Sequence, residues 1–291
     1  RGCVTRNKRH APGPGKTPGR IFFGLWRGAA LEIPAGIGYP KSMPRRDRRR
    51  TGGRALKKII ILIGNYCSGK TEIAMNMAVL ASEQGRRTLV IDLDRINDYF
   101  RMSDHIKTLT DRHVEIVSPT FVGQAVTQTV MPAAVASAFD REWDLVIFDV
   151  GGDQAGALSL ARYHQDFAAL EPGCLEVYDI VNVFRPMSET PEKILKLKGE
   201  LEGFARQQVT GFVNNSNLLN YASADDLRQG YDVIRRASDM SGIPVVHTTG
   251  RRKFLEEFLA DGRDEKYIGT PIALETYMHR SSGDSFTYGR I

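Results

Sequence analysis

Cysteine is scarce in this chain. Cys3, Cys67 and Cys174 stand far apart, with no Cys-x-x-Cys pair. An odd count at that spacing excludes a disulfide framework and argues against a thiolate-held zinc or iron–sulfur centre within one chain. A reducing, cytoplasmic setting is therefore expected. Long apolar runs are also missing. The longest aliphatic stretch is residues 59–63, against the roughly 20 residues a membrane-crossing helix needs, so no membrane span is expected. The 6 histidines show no metal-ligand spacing, and His247, at the end of a strand-like run, reads as a packed residue.

Charge is present but uneven. Residues 1–55 hold 14 Lys and Arg against 2 Asp and Glu, and residues 56–291 hold 26 against 32. The chain reads as a basic leader, +12, joined to a mildly acidic body, −6. The pI near 9.2 belongs to the leader, so nucleic-acid binding is not supported for the body. The leader has 10 Gly and 6 Pro and no sustained hydrophobic period, a composition that cannot bury enough apolar area to offset chain entropy. Three readings of it stay open. It is a disordered tail, a basic arm for nucleic acid or anionic lipid, or the product of a misassigned translation start. For the last, the segment Thr51-Gly52-Gly53-Arg54-Ala55-Leu56 can be back-translated as a ribosome-binding sequence followed by a TTG codon at Leu56.

The body alternates strand and helix. Strands are expected at 58–63, 88–92, 113–117, 143–150, 175–184, 209–214 and 243–247. Helices are expected at 71–84, 122–139, 154–170, 190–207, 224–241 and 253–260. That order predicts an α/β fold, a doubly wound, mostly parallel sheet with helices on both faces. Residues 56–280 are expected to form one domain, and 281–291 a frayed tail.

Between the first strand and first helix lies Gly64-Asn65-Tyr66-Cys67-Ser68-Gly69-Lys70-Thr71, which fits G-x-x-x-x-G-K-[ST] at every fixed position. A chance match in a chain this long is on the order of one per cent by average residue frequencies. The glycines let backbone N–H groups turn inward on phosphate oxygens, and the helix adds its positive end. Gly64, Asn65, Ser68, Gly69, Lys70 and Thr71 are the nucleotide-binding candidates. Lys70 would meet the β- and γ-phosphates, and Thr71 would ligate Mg²⁺.

The strand 143–150 ends in Asp149, followed by Gly151 and Gly152. That is the place for a second Mg²⁺-holding group, with Asp153 left to cap the next helix. Asp92 and Asp94 end the second strand at i, i+2, on one side of an extended backbone, where one could orient an attacking water. Residues 95–101 read as a switch loop in which Tyr99, Phe100 and Arg101 meet a partner. Arg185, after the fifth strand, is a candidate for meeting an acidic substrate, and a surface salt bridge is the plainer reading. Cys67 beside Lys70 reads as a small loop residue, with oxidation sensitivity as the alternative.

Together the P-loop, the strand ending Asp92-Leu93-Asp94 and Phe148-Asp149-Val150-Gly151-Gly152 resemble the MinD/ParA/CobQ-CobB superfamily of P-loop NTPases, over roughly residues 57–250. The resemblance implies that Asp94 assists hydrolysis, that Asp149 is the Walker B aspartate, and that an asparagine in the stretch 209–217 reads adenine. Asn215 is the first choice and Asn214 the other. ATP and Mg²⁺ are the implied cofactors, and a protein partner is implied for the ATPase cycle. The chain departs from the family where many members carry a signature lysine. Here that position is Asn65, so reach across a nucleotide-sandwich homodimer is not supported. The alternatives are an ATP-dependent small-molecule synthetase or kinase, resembling dethiobiotin synthetase, and a nucleotide-binding module with negligible turnover.

Overall fold

The computed structural model describes residues 58–94, 105–118, 135–139 and 143–278. The leader, the switch loop at 95–101, the first part of the helix expected at 122–139 and the tail 281–291 lie outside the described residues.

Five of six residues of β1 (Lys58–Ile63), and all of β2 (Thr88–Asp92) and β4 (Leu145–Asp149), are buried. Side chains in a strand alternate between faces, so burial of the whole run requires cover on both. Ile59, Ile61 and Ile63 join Val146, Phe148 and Val177 in one core layer. Ile60 and Leu62, equally buried, take the opposite face. Each such side chain stabilises the fold by about 2 kcal/mol relative to exposure. α1 (Lys70–Glu83) packs on β1, β2 and β4 and buries Ile73, Ala74, Met77, Ala78 and Ala81.

β3 (Val114–Val117) follows the short α2 (Ile106–Asp111). β5 (Leu175–Val181), β6 (Gly211–Asn214), β7 (Val245–Gly250) and β8 (Thr270–Ala273) complete an eight-stranded sheet of order β3-β2-β4-β1-β5-β6-β7-β8. Every pairing is parallel. The chain leaves β1 toward β2 and β3, returns to β4, then crosses to β5 on β1's other side. The ends of β1 and β4 therefore flank the switch point where ligands bind in such sheets.

The opposite face carries α3 (Gln154–Ala161), α5 (Pro191–Ala205), α6 (Ala224–Ser241) and α7 (Arg252–Leu259), packed in a row. α5 starts as its sequence dictates: Thr190 accepts from the Lys193 amide and Pro191 opens the first turn. The helix expected at 154–170 is two. After α3 the chain tightens, the Tyr163 amide bonding Leu160 O, and α4 (His164–Ala168) follows. Tyr163 stacks on Phe139 at 6.3 Å, and Phe139 and Phe148 each meet Phe167 edge-on at 5.3 Å. Tertiary packing of these rings sets the bend.

The short helix α2 and the strand β8 are additional to the sequence reading. β8 contains Pro271, which a strand tolerates at a sheet edge because no ladder N–H is needed there. Beyond it, residues 274–278 lie along α1. Asn76 bonds both backbone groups of Glu275, at 2.9 and 2.8 Å. The Glu72 carboxylate accepts from the amides of Tyr277 and Met278, at 2.6 and 3.0 Å.

Candidate functional site

The loop between β1 and α1 carries the G-x-x-x-x-G-K-[ST] pattern and curls back on the start of the helix. Gly69 caps α1 at φ 95°, with no side chain bonding the first turn. Free amides at a helix N-terminus favour an anion. A Cβ on Gly69 would fall 2.3 Å from Asn215 Nδ2, so the loop can lie on that amide only as glycine. Cys67 holds φ 54°, a left-handed conformation costly for a non-glycine residue. The Ser68 hydroxyl is buried with no hydrogen-bond partner. Lys70 is buried, and its ammonium donates to Asn65 O at 2.8 Å and Gly64 O at 3.3 Å. Burial holds its pKa below the usual lysine value, against the charges of Asp149, Asp94, Cys67 and Asp179.

Asp149 ends β4 next to β1. Both its carboxylate oxygens are buried without a hydrogen bond of full geometry, and the Thr71 hydroxyl is the donor that bears on them. Burial pushes its pKa to about 6, while the Thr71 hydroxyl and the Lys70 charge pull the other way. A buried carboxylate short of donors is costly unless a cation completes it, and a hard divalent cation held by one or two carboxylates plus phosphate oxygens suits this set. Asp149 and Thr71 therefore fit Mg²⁺.

Asp92 pairs with Asp149 in register across β2 and β4. It accepts from the Asp94 amide at 3.0 Å and from Ser118 at 3.1 Å. Burial, then the Asp149 charge, pushes its pKa to about 8. Asp94 stands just beyond the strand, its Oδ1 3.3 Å from where a Cβ on Gly151 would be. Gly152 is required by the loop itself, because a Cβ there would sit 2.5 Å from the Tyr66 amide nitrogen. The P-loop, Asp94, Asp149 and the Gly151-Gly152 turn are thus brought together. The carboxylates do not converge on one point: among the described residues no group of three or more His, Cys, Asp or Glu could hold a metal ion. Asp153 caps α3, accepting from the Gly156 amide at 2.8 Å.

Asn214 ends β6 and Asn215 follows it, and both amides are bonded within the protein. Asn215 donates to Ser68 O at 2.7 Å and accepts from Thr249 at 2.8 Å. Its amide is engaged at both ends beneath the P-loop. Asn214, the other choice, donates to Leu227 O and accepts from the Ser216 amide, both at 3.1 Å. Asn65 reaches sideways, its amide nitrogen bonding Pro186 O and Ser188 Oγ in the turn after β5. His247 is packed as expected: Nδ1 lies 3.0 Å from Thr270 O, and the ring meets Tyr178 edge-on.

Sequence reading missed Asp179, buried in β5 where a Cβ on Gly64 would come 3.0 Å from its Oδ1. Burial raises its pKa to about 7, against the charges of Lys70 and Lys198. The available signal was an acid inside the apolar run Val177-Tyr178-Asp179-Ile180-Val181.

No family model and no curated protein matches the chain. It is similar to solved structures of FtsY. For FtsY of Mycoplasma mycoides the identity is 15%, the TM-score 0.48, and the match covers 68% of this chain and 61% of that one. For the cell division protein FtsY of Thermotoga maritima the values are 19%, 0.46, 68% and 63%. For chloroplast FtsY of Physcomitrella patens they are 18%, 0.46, 67% and 59%. The chain thus spans about three fifths of the length of each.

Proposed function

We propose that this protein is a Mg²⁺-dependent ATPase that couples ATP binding and hydrolysis to a partner protein. The observation that carries the reading is the buried, under-satisfied carboxylate of Asp149 facing a P-loop whose helix start is uncapped. The resemblance to the MinD/ParA/CobQ-CobB superfamily supports the choice of ATP and of a partner.

On binding, Lys70 exchanges the carbonyls of Gly64 and Asn65 for the β- and γ-phosphates. The first amides of α1 and the loop N–H groups take the remaining oxygens. Bound Mg²⁺ supplies charge neutralisation across the phosphates, held by Thr71 and Asp149. Asp94, beside Gly151 at the mouth of the site, orients the attacking water. Phosphoryl transfer needs this positioning more than covalent chemistry.

The test is binding and turnover of ATP and GTP by the full chain, with and without Mg²⁺. Mg²⁺-dependent release of phosphate from ATP in preference to GTP is expected. Equal use of both nucleotides would remove the ATP assignment, and binding of neither would remove the P-loop reading.

A further inference from the structure

The turn after β5 carries a cation whose place the ATPase reading leaves unused. Residues 182–188 are fastened on two sides. Asn182 accepts from the Phe184 amide at 3.1 Å and donates to Asn217 O at 3.0 Å, which ties the turn to the loop after β6. Asn65 of the P-loop bonds Pro186 O and Ser188 Oγ. Backbone bonds from Arg185 N to Asn182 O and from Ser188 N to Arg185 O, both 3.0 Å, close the turn between these anchors. Met187 sits inside it at φ 67°.

Arg185 is held between the two anchors. Its Nε is buried and has no hydrogen-bond partner. Guanidinium remains charged at every relevant pH, and its donors form a planar fork matched to carboxylate or phosphate. A buried donor of this kind without an acceptor is desolvated and uncompensated. β5 is parallel to β1 and adjacent to it, so the turn lies at the same C-terminal end of the sheet as the loop between β1 and α1. Asn65, where the resembled family often carries a lysine, puts its side chain into holding this turn. One residue from the held carbonyl of Pro186 stands Arg185.

We propose that Arg185 is an oxyanion-binding residue beside the P-loop. It takes up either the terminal phosphate of the bound nucleotide or the carboxylate or phosphate of a second substrate. The inference rests on the nucleotide reading above for the neighbouring site. Surface pairing, the plainer sequence reading, would bring an acid to the guanidinium; Arg185 is half-buried with a buried Nε, and it makes no ion pair among the described residues.

The test uses the full chain as wild type, Arg185→Gln and Arg185→Lys. Affinities for Mg²⁺-ADP and for a non-hydrolysable ATP analogue are measured first. If the terminal phosphate is the ligand, Arg185→Gln weakens the analogue by on the order of 10–100-fold and leaves ADP within about twofold, with Arg185→Lys in between. If a second substrate supplies the oxyanion, both nucleotides bind as in wild type. Orthophosphate or malonate, added to protein saturated with the analogue, then raises the melting temperature of wild type but not of Arg185→Gln. Equal responses of wild type and Arg185→Gln in both measurements overturn the proposal. So does a loss of ADP affinity and melting temperature together in both variants, which marks a structural arginine. A wild type that binds no nucleotide removes the ATPase reading instead, and the anion response of nucleotide-free protein then decides Arg185 alone.

Discussion

At the ends of β1 and β4, Ser68 Oγ is buried without a hydrogen-bond partner, and both oxygens of Asp149 are buried without a hydrogen bond of full geometry. At the ends of β6 and β7, Asn214, Asn215, Ser216, Thr248 and Thr249 are buried just as deeply, and each is bonded. The same sheet thus places a satisfied polar network beside an unsatisfied one. A network complete on its own terms holds backbone in place. Groups left incomplete in a folded protein mark where something else completes them.

The sharpest way to break this contrast is at Lys70. Lys70→Ala is expected to weaken ATP binding by on the order of 100-fold, since it removes a buried charge that meets the triphosphate. Asp149→Asn is expected to weaken the Mg²⁺ dependence of the same isotherm. Unchanged affinity and turnover in both variants would mean that the incomplete groups are not a phosphate site. Next in size is Asp94→Asn. A carboxylate that acts on water in the transition state lowers kcat when removed and spares ground-state affinity. Turnover should fall by on the order of 100-fold with ATP binding within a few-fold of wild type. Asp92→Asn should cost less, and single-turnover measurements of the two variants would show whether the roles are exchanged.

On the completed side, Asn215→Ala should act on stability. It strands Ser68 O and leaves the Thr249 hydroxyl only its 3.4 Å bond to Asn214 O, at a cost of about 1–3 kcal/mol, or about 2–10 °C in Tm for a domain of this size. The ratio of ATP to GTP affinity should stay put. A changed ratio with an unchanged Tm would assign the base-reading role to Asn215. A pH-dependent effect concerns Asp179, whose folded-state pKa of about 7 stands above the usual 3.8. Between those values the native state binds more protons than the unfolded state, so this group's contribution to stability falls as pH rises from about 4 to about 7. Asp179→Asn is therefore expected to be more stable than wild type at pH 8, with the gain vanishing near pH 4. Denaturant titrations at the two pH values would measure it, and a constant difference would assign the effect to packing.

Much of the fold was written in local pattern. β1 and β2 and α6 begin and end where periodicity and turn residues place them, because burial on both faces or on one stripe leaves a regular imprint. β8 was hidden by Pro271 and by its short half-buried run, which looks like a loop until a neighbouring strand pairs with it. The break at Tyr163 was hidden because it answers to Phe139 and Phe167, not to any breaker residue. The P-loop and Asp149 were legible because phosphate binding demands fixed residue types at fixed spacing. The asparagine after β6 was legible as a polar residue at a strand end. Whether such an amide faces a ligand or the underside of a loop is decided by groups more than a hundred residues away, here Ser68.

Residues 274–278 grip α1 through contacts separated by 199 to 206 positions in the chain. At roughly 5–20 residues per second, synthesis takes on the order of 10–40 s to cross that distance. During translation the helix that starts at the P-loop emerges long before its final clasp, and that face of it is without cover for the whole interval. Cover for that face of α1 is thereby delayed until residues 274–278 have been made.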